Sequence, residues 1–167
     1  ELPVPFAPSF YGLDFSELPA LIGAFAYGPV AGVMIEFCKI LIKLVLKPSS
    51  TAFVGELANF SISCMLVLPA SVIYLFKKSR KQAILGTVVG TLIMTAFGSC
   101  FNAIYLLPKF SELYGIPLDA IIGMGTAINP AIHSISGLVL MCVVPLNLLK
   151  GGLVSLITIL VYKKLSP

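Results

Sequence analysis

Only 11% of the 167 residues are charged, whereas about 25% are charged in an average soluble domain, and 58% are hydrophobic. This composition excludes a water-soluble fold, which would expose too much apolar surface, but it suits a lipid bilayer. The net charge of +4 comes from clustered basic residues without interleaved stacking aromatics, so nucleic acid is not an expected partner. We therefore predict an all-α, polytopic membrane helix bundle that forms a single transmembrane domain over residues 1–167.

Five apolar segments follow one another along the chain and predict its helices. They cover residues 18–27, 30–46, 52–76, 82–107 and 138–162, and the fourth is expected to end at Pro108. Crossing about 30 Å of hydrocarbon takes about 20 helical residues. The last three segments meet that length, the second is marginal and the first is short. Small-residue pairs such as Gly86 with Gly90 predict close approach between neighbouring helices.

The positions of the basic residues predict the orientation. The KKSRK run at 77–81 joins the third and fourth segments, and Lys163 and Lys164 follow the fifth. Because basic loops stay on the cytoplasmic side, we predict a multi-pass cell-membrane protein with a cytoplasmic C-terminus. Residues 1–17 then form an external loop, and residues 108–137 form an external cap-like loop, either a lid over a site or an ordinary ordered loop. A further helix is expected to precede Glu1.

Polar residues at membrane depth are costly, and their positions indicate either a site or structural pairing. Asn59, Asn102 and Asn147 are all expected in the outer half of the bilayer, and Lys150 lies one turn after Asn147. Converging amides and one ammonium group predict a small-molecule site, with interhelical hydrogen bonding as the alternative. The buried charge of Lys150 would be relieved by a ligand acceptor or by the side-chain carbonyl of Asn147.

The second segment carries charges of its own. Glu36, Lys39 and Lys43 share one helical face, which predicts an internal Glu36–Lys39 ion pair and a Lys43 that extends toward the helix end.

Catalytic and metal-binding motifs are missing from the sequence. The four cysteines lie in apolar runs without C-x-x-C spacing, and the one histidine, His133, lies in the 108–137 connection. There is no phosphate-binding loop and no H-E-x-x-H or G-x-S-x-G motif. We therefore expect no enzyme activity, no metal and no ATP hydrolysis by this chain, although an intramembrane enzyme stays a minor alternative.

Four sequence stretches point to a family. They are LDFSELPALIGAFAYGPVAG at 13–32, GELANF at 55–60, FNAIYLLPKF at 101–110 and VPLNLLKGGLVSLITILVYKKL at 144–165. In this order they resemble the substrate-binding S components of energy-coupling-factor (ECF) vitamin transporters, most closely the riboflavin-specific members. The combination of LDFS-x-LP with P-x-N-x-x-KG carries most of this resemblance.

The resemblance implies a fold of six helices, of which five are present here and the first is absent. It also implies a vitamin site near the extracellular side, with riboflavin as transported ligand rather than cofactor. The implied partners are a membrane-embedded coupling subunit and two ATPases. By motif position, Asn102, Asn147 and Lys150 look like the flavin-contacting residues. An S component for another vitamin and a non-transport structural membrane subunit are the alternatives.

Overall fold

A short hairpin and a bundle of helices make up the fold. The computed structural model describes residues 2–9 and 11–165, with side chains described as far as residue 161. Strands β1 (Leu2–Pro3) and β2 (Gly12–Leu13) pair antiparallel, with Leu2 opposite Leu13. The helices are α1 (Glu17–Tyr27), α2 (Pro29–Leu46), α3 (Val54–Phe76), α4 (Arg80–Tyr114), α5 (Leu118–Ile128) and α6, which begins as Ile135–Leu138 and ends as Val144–Leu165.

All five predicted apolar segments are helical, which confirms the all-α prediction. The expected end of the fourth segment at Pro108 is wrong, because α4 continues to Tyr114. A proline is tolerated in the first turn of an α-helix, since its missing N–H has no partner there to lose. Pro108 lies in the first turn of the α-helical stretch Leu107–Tyr114, which directly follows a π-helical stretch at Asn102–Leu106.

Two helices contain a π-helical stretch, Asn102–Leu106 in α4 and Val139–Val143 in α6. In each, a proline follows two positions later, Pro108 and Pro145. The two stretches contact each other across the bundle. Because single π-helical turns inside α-helices are frequent at functional sites, the place where the two stretches meet is a candidate site.

Helices α3 and α4 pack closely because two glycines of α4 lie against backbone of α3. A Cβ atom at Gly86 would lie 2.5 Å from the carbonyl oxygen of Ala70, and one at Gly90 would lie 2.5 Å from that of Leu66. Any larger residue would push these helices apart. The predicted close approach at Gly86 and Gly90 is thereby confirmed.

The bundle has two principal groups of buried apolar residues. One joins α1, α3, α4 and α6 and includes Leu21, Leu66, Met94 and Val154. The other lies at one end of the bundle, where the N-terminal hairpin packs on the end of α4, on α5 and on the start of α6. Its members include Tyr11, Leu13, Leu107, Ile121, Leu138 and Val143. The hairpin is thus part of the folded core at that end.

Three helical stretches of the described chain are long and apolar enough to cross a bilayer: Val54–Phe76, Arg80–Tyr114 and Ile135–Val161. They correspond to the three segments predicted to be long enough. Large apolar side chains also face outward, such as Val45 and Phe76, each 84% exposed. Lipid is the solvent that accommodates such a surface, so the protein is a membrane protein.

Candidate functional site

A cavity of about 530 Å³ lies at the hairpin end of the bundle, beside the two π-helical stretches. Sites for small organic ligands typically have volumes of roughly 300–1,000 Å³. All four predicted site residues line this cavity: Asn59 from α3, Asn102 from α4, and Asn147 and Lys150 from α6. Its apolar lining includes Leu106, Phe110, Ile121, Met124, Val143 and Leu146.

The two parts of the chain that were expected to lie over the bundle both contribute to the cavity. Tyr11 and Asp14 reach it from the hairpin and the residues after β2. Phe110 and Met124 reach it from the 108–137 stretch, which is mostly helical and includes α5. One side of the cavity is therefore lined by the hairpin region, which is far from α3 and α6 in sequence, and by the 108–137 stretch.

Asn147 carries a buried donor that lacks a partner. Its side chain is 7% exposed, and the amide nitrogen Nδ2 makes no hydrogen bond to any described residue. Leaving a buried polar group unsatisfied costs about 1–3 kcal/mol. Since Asn147 lines the cavity, an acceptor on a bound molecule would remove this cost.

Asn102, by contrast, is held from two sides. Its Oδ1 accepts a hydrogen bond from the Tyr11 hydroxyl at 2.9 Å, and its Nδ2 donates to the backbone oxygen of Gly98 at 2.7 Å. Burial, and secondarily Cys142, raises the pKa of Tyr11, so the hydroxyl stays protonated and remains a donor at neutral pH. The Asn102 amide therefore presents a fixed face to the cavity, with one N–H and one lone pair left for a ligand.

Lys150 is paired within the protein, with a carboxylate that the sequence analysis did not name. Its Nζ lies 2.6 Å from Oε1 of Glu17, a carboxylate that is fully buried at the start of α1. The charge is thus balanced by Glu17 rather than by the side-chain carbonyl of Asn147. A lysine has three N–H donors, and because Lys150 also lines the cavity, the remaining donors stay available to a ligand.

The ion pair extends into a network across the bundle. Lys39 lies 3.6 Å from Glu17 and 2.6 Å from Glu36, which confirms the predicted Glu36–Lys39 pair. Asn59 accepts hydrogen bonds from Lys39 and from Ser63, each at 3.3 Å. Since Asn59 lines the cavity, the network connects the site with α2. Lys43, predicted to extend toward the helix end, lines the cavity as well.

Sequence reasoning missed three residues of this region: Tyr11, Asp14 and Glu17. Burial raises the pKa of Asp14, but hydrogen bonds from Ser16 and the charges of Lys150 and Lys39 outweigh it and lower the pKa below its usual value. Asp14 is therefore ionised on the cavity wall. Glu17 had a detectable signal, since it is a lone charge opening an apolar helix and such residues are rare at membrane depth.

The arrangement suits binding rather than catalysis. Apolar walls accept the faces of a flat ring, and the amides and the ammonium group offer donors and acceptors to its edge. Within the described residues, no three His, Cys, Asp or Glu side chains are grouped as a metal site would require. Fold and cavity together define a membrane-embedded helix bundle with a pocket for a small organic molecule.

Comparison with known proteins assigns this membrane-embedded helix bundle to a family. Residues 2–162 match the family described as the substrate-specific component of ECF transporters, and the chain belongs to this family. As a transporter component it is not an enzyme.

Its relatives are transporters of one kind. The chain is 32% identical to the riboflavin transporter RibU of Staphylococcus aureus (strain TCH60), covering 99% of this chain and 80% of the relative. It is 30% identical to the riboflavin transporter FmnP of Bacillus subtilis (strain 168), covering 99% and 82%. A solved structure of the S component of a bacterial ECF transporter is 33% identical and superimposes with a TM-score of 0.73, covering 99% and 83%.

Proposed function

We propose that the chain is the riboflavin-binding subunit of an ECF-type importer and that it holds the vitamin in the cavity between α3, α4 and α6. The observation that carries this proposal is the buried Nδ2 of Asn147, which has no hydrogen-bond partner among the described residues and belongs to a side chain on the cavity wall. Two relatives at 30% identity or more, each matched over 99% of this chain, are named riboflavin transporters.

Riboflavin fits the chemistry of the lining. Its isoalloxazine ring has apolar faces, which would lie against side chains such as Leu106 and Leu146. The pyrimidine edge alternates carbonyl acceptors with an N–H donor, a pattern that Asn102 and Asn147 amides can match. Lys150 would donate to a ring carbonyl or nitrogen while keeping its pair with Glu17. Asn59 completes the polar side of the site.

The proposal extends to orientation and partners. We place the protein in the plasma membrane with the KKSRK run at 77–81 and the C-terminus in the cytoplasm, because basic loops stay inside. The cavity then opens toward the outside, and residues 1–17 and 108–137 cover it there. Energy would come from a membrane-embedded coupling subunit and two ATPases, because the sequence has no phosphate-binding loop. Riboflavin binding by this subunit alone should need no ATP.

Titration of riboflavin into purified variants tests the site. Asn147→Ala and Asn102→Ala should each weaken binding by about 5- to 150-fold, the equivalent of about 1–3 kcal/mol for a hydrogen bond lost to a buried ligand. Lys150→Met should weaken binding as well. The matched control is Asn129→Ala, which removes an asparagine that does not line the cavity. Unchanged affinity in all three site variants, with lowered thermal stability instead, would show that the polar set is only structural.

A further inference from the structure

The two asparagines of the candidate site, which lie on different helices, meet at one glycine. The carbonyl oxygen of Gly98 accepts the 2.7 Å hydrogen bond from Asn102 Nδ2. On the same residue, a Cβ atom would lie 2.7 Å from Nδ2 of Asn147. Gly98 is itself buried in α4 and does not line the cavity. Gly98 therefore contacts both side-chain amides from outside the cavity lining.

We propose that Gly98 is a positioning residue of the binding site, where its backbone holds the Asn102 amide and its missing side chain leaves the space that the Asn147 amide occupies. This inference rests on the proposed function, since it concerns how the two amides that would bind riboflavin are held in place. It assigns a role in affinity to a residue that would not touch the ligand.

Gly98 differs from the other tightly packed glycines of α4. At Gly86 and Gly90, an added methyl group would meet backbone carbonyl oxygens of α3, which cannot move without separating the helices. At Gly98 the nearest atom belongs to the end of a side chain, and the next, Ile62 Cγ2, is 3.4 Å away. A methyl group here would turn the Asn147 amide aside and leave the helix packing in place. The carbonyl oxygen that holds Asn102 would remain.

The consequence is specific to Asn147. In the wild type, the amide nitrogen has no hydrogen-bond partner among the described residues and packs against Gly98, so its position is set before the ligand arrives. Ligand binding then costs little reorganisation. In Gly98→Ala the amide leaves that position, and its hydrogen bond to the ligand is lost or badly aligned. In the background of Asn147→Ala, residue 147 has no amide, so the methyl group of Gly98→Ala displaces no binding group.

A double-mutant cycle on riboflavin affinity tests the inference with wild type, Gly98→Ala, Asn147→Ala and the double variant. Gly98→Ala should weaken binding by about fivefold or more, approaching the effect of Asn147→Ala. The double variant should bind no more weakly than Asn147→Ala alone, within about twofold, because the two changes remove the same interaction. Gly152→Ala is the control, since an added Cβ at that position meets open space among the described residues.

The unfolding midpoint without ligand, measured on the same samples, separates positioning from packing. It should be similar in Gly98→Ala and Gly152→Ala. Should Gly98→Ala fail to fold, the double variant still decides, because the inference requires it to fold and to bind like Asn147→Ala. Fully additive losses of affinity, wild-type affinity in Gly98→Ala, or an unfolded double variant would each overturn the role of Gly98. Failure of the wild type to bind riboflavin would instead contradict the proposed function on which this role depends.

Discussion

Replacing Glu17 with glutamine removes one buried charge and keeps nearly the same shape. Glu17 is fully buried, and its Oε1 lies 2.6 Å from Lys150, whose side chain is 11% exposed. Lys39 retains Glu36 as a partner in the variant, whereas Lys150 loses its close carboxylate. Breaking a buried ion pair by removing one partner typically costs about 3–5 kcal/mol, because the remaining charge stays in a poorly solvated place. We expect a loss of folding free energy in this range for Glu17→Gln.

The chain contains a matched control. Lys109 and Glu112 form an ion pair of nearly the same length, 2.7 Å, but with side chains that are 37% and 70% exposed. Solvent screens exposed pairs so that they contribute little to stability, and Glu112→Gln should therefore be nearly neutral. Unfolding free energies from detergent-denaturant titration in mixed micelles give both values. If Glu17→Gln destabilises no more than Glu112→Gln, the buried network does not support the fold as described.

A second variant makes the test sharper. Glu17→Gln combined with Lys150→Met removes both members of the pair, so no isolated charge remains at their contact. The double variant should lose less stability than the sum of the single variants, by about 0.5–3 kcal/mol, as is usual for directly contacting residues. Strictly additive losses would indicate that Glu17 and Lys150 act independently.

Three further outcomes are expected. Gly90→Ala should destabilise the apo protein by about 1–3 kcal/mol, because its methyl group would meet the carbonyl oxygen of Leu66 at 2.5 Å; a melting curve like that of wild type contradicts this packing. Tyr11→Phe removes the donor to Asn102 and should weaken riboflavin binding by about 2- to 10-fold, corresponding to about 0.5–1.5 kcal/mol. Unchanged affinity on titration would show that this hydrogen bond from the hairpin does not support the site. With the native cysteines removed, a Ser79→Cys variant should resist membrane-impermeant thiol reagents in intact cells. Ready labelling would show that residue 79 lies outside and that the orientation is the opposite one.

Hydropathy and turn residues predicted the helices because lipid imposes a simple requirement of length and composition on each segment. The boundary at Pro108 could not be predicted in the same way. A proline ends a helix when it costs an intrahelical hydrogen bond, but here it follows the π-helical stretch Asn102–Leu106 and opens a new α-helical turn. Wider helical turns leave no periodicity that a sequence reveals.

The candidate site could likewise be predicted only in part. Asn59, Asn102 and Asn147 could be assigned to one depth because each lies at a countable position along a spanning helix, and all three line the same cavity. The pairing of Lys150 with Glu17 depends on how α1 and α6 sit beside each other, which helical spacing does not encode. Tyr11 approaches from a hairpin, and loop conformation is not specified by hydrophobic periodicity.

Native mass spectrometry is the direct test of riboflavin binding, with the purified wild-type chain incubated in an equimolar mixture of riboflavin and other water-soluble vitamins. No ATP or partner subunit is supplied. We expect one dominant adduct with the mass of riboflavin, at one molecule per chain, and a strongly reduced adduct in Asn147→Ala under the same conditions. An adduct of a different vitamin, or no adduct with the wild type, would contradict the assignment of this cavity to riboflavin.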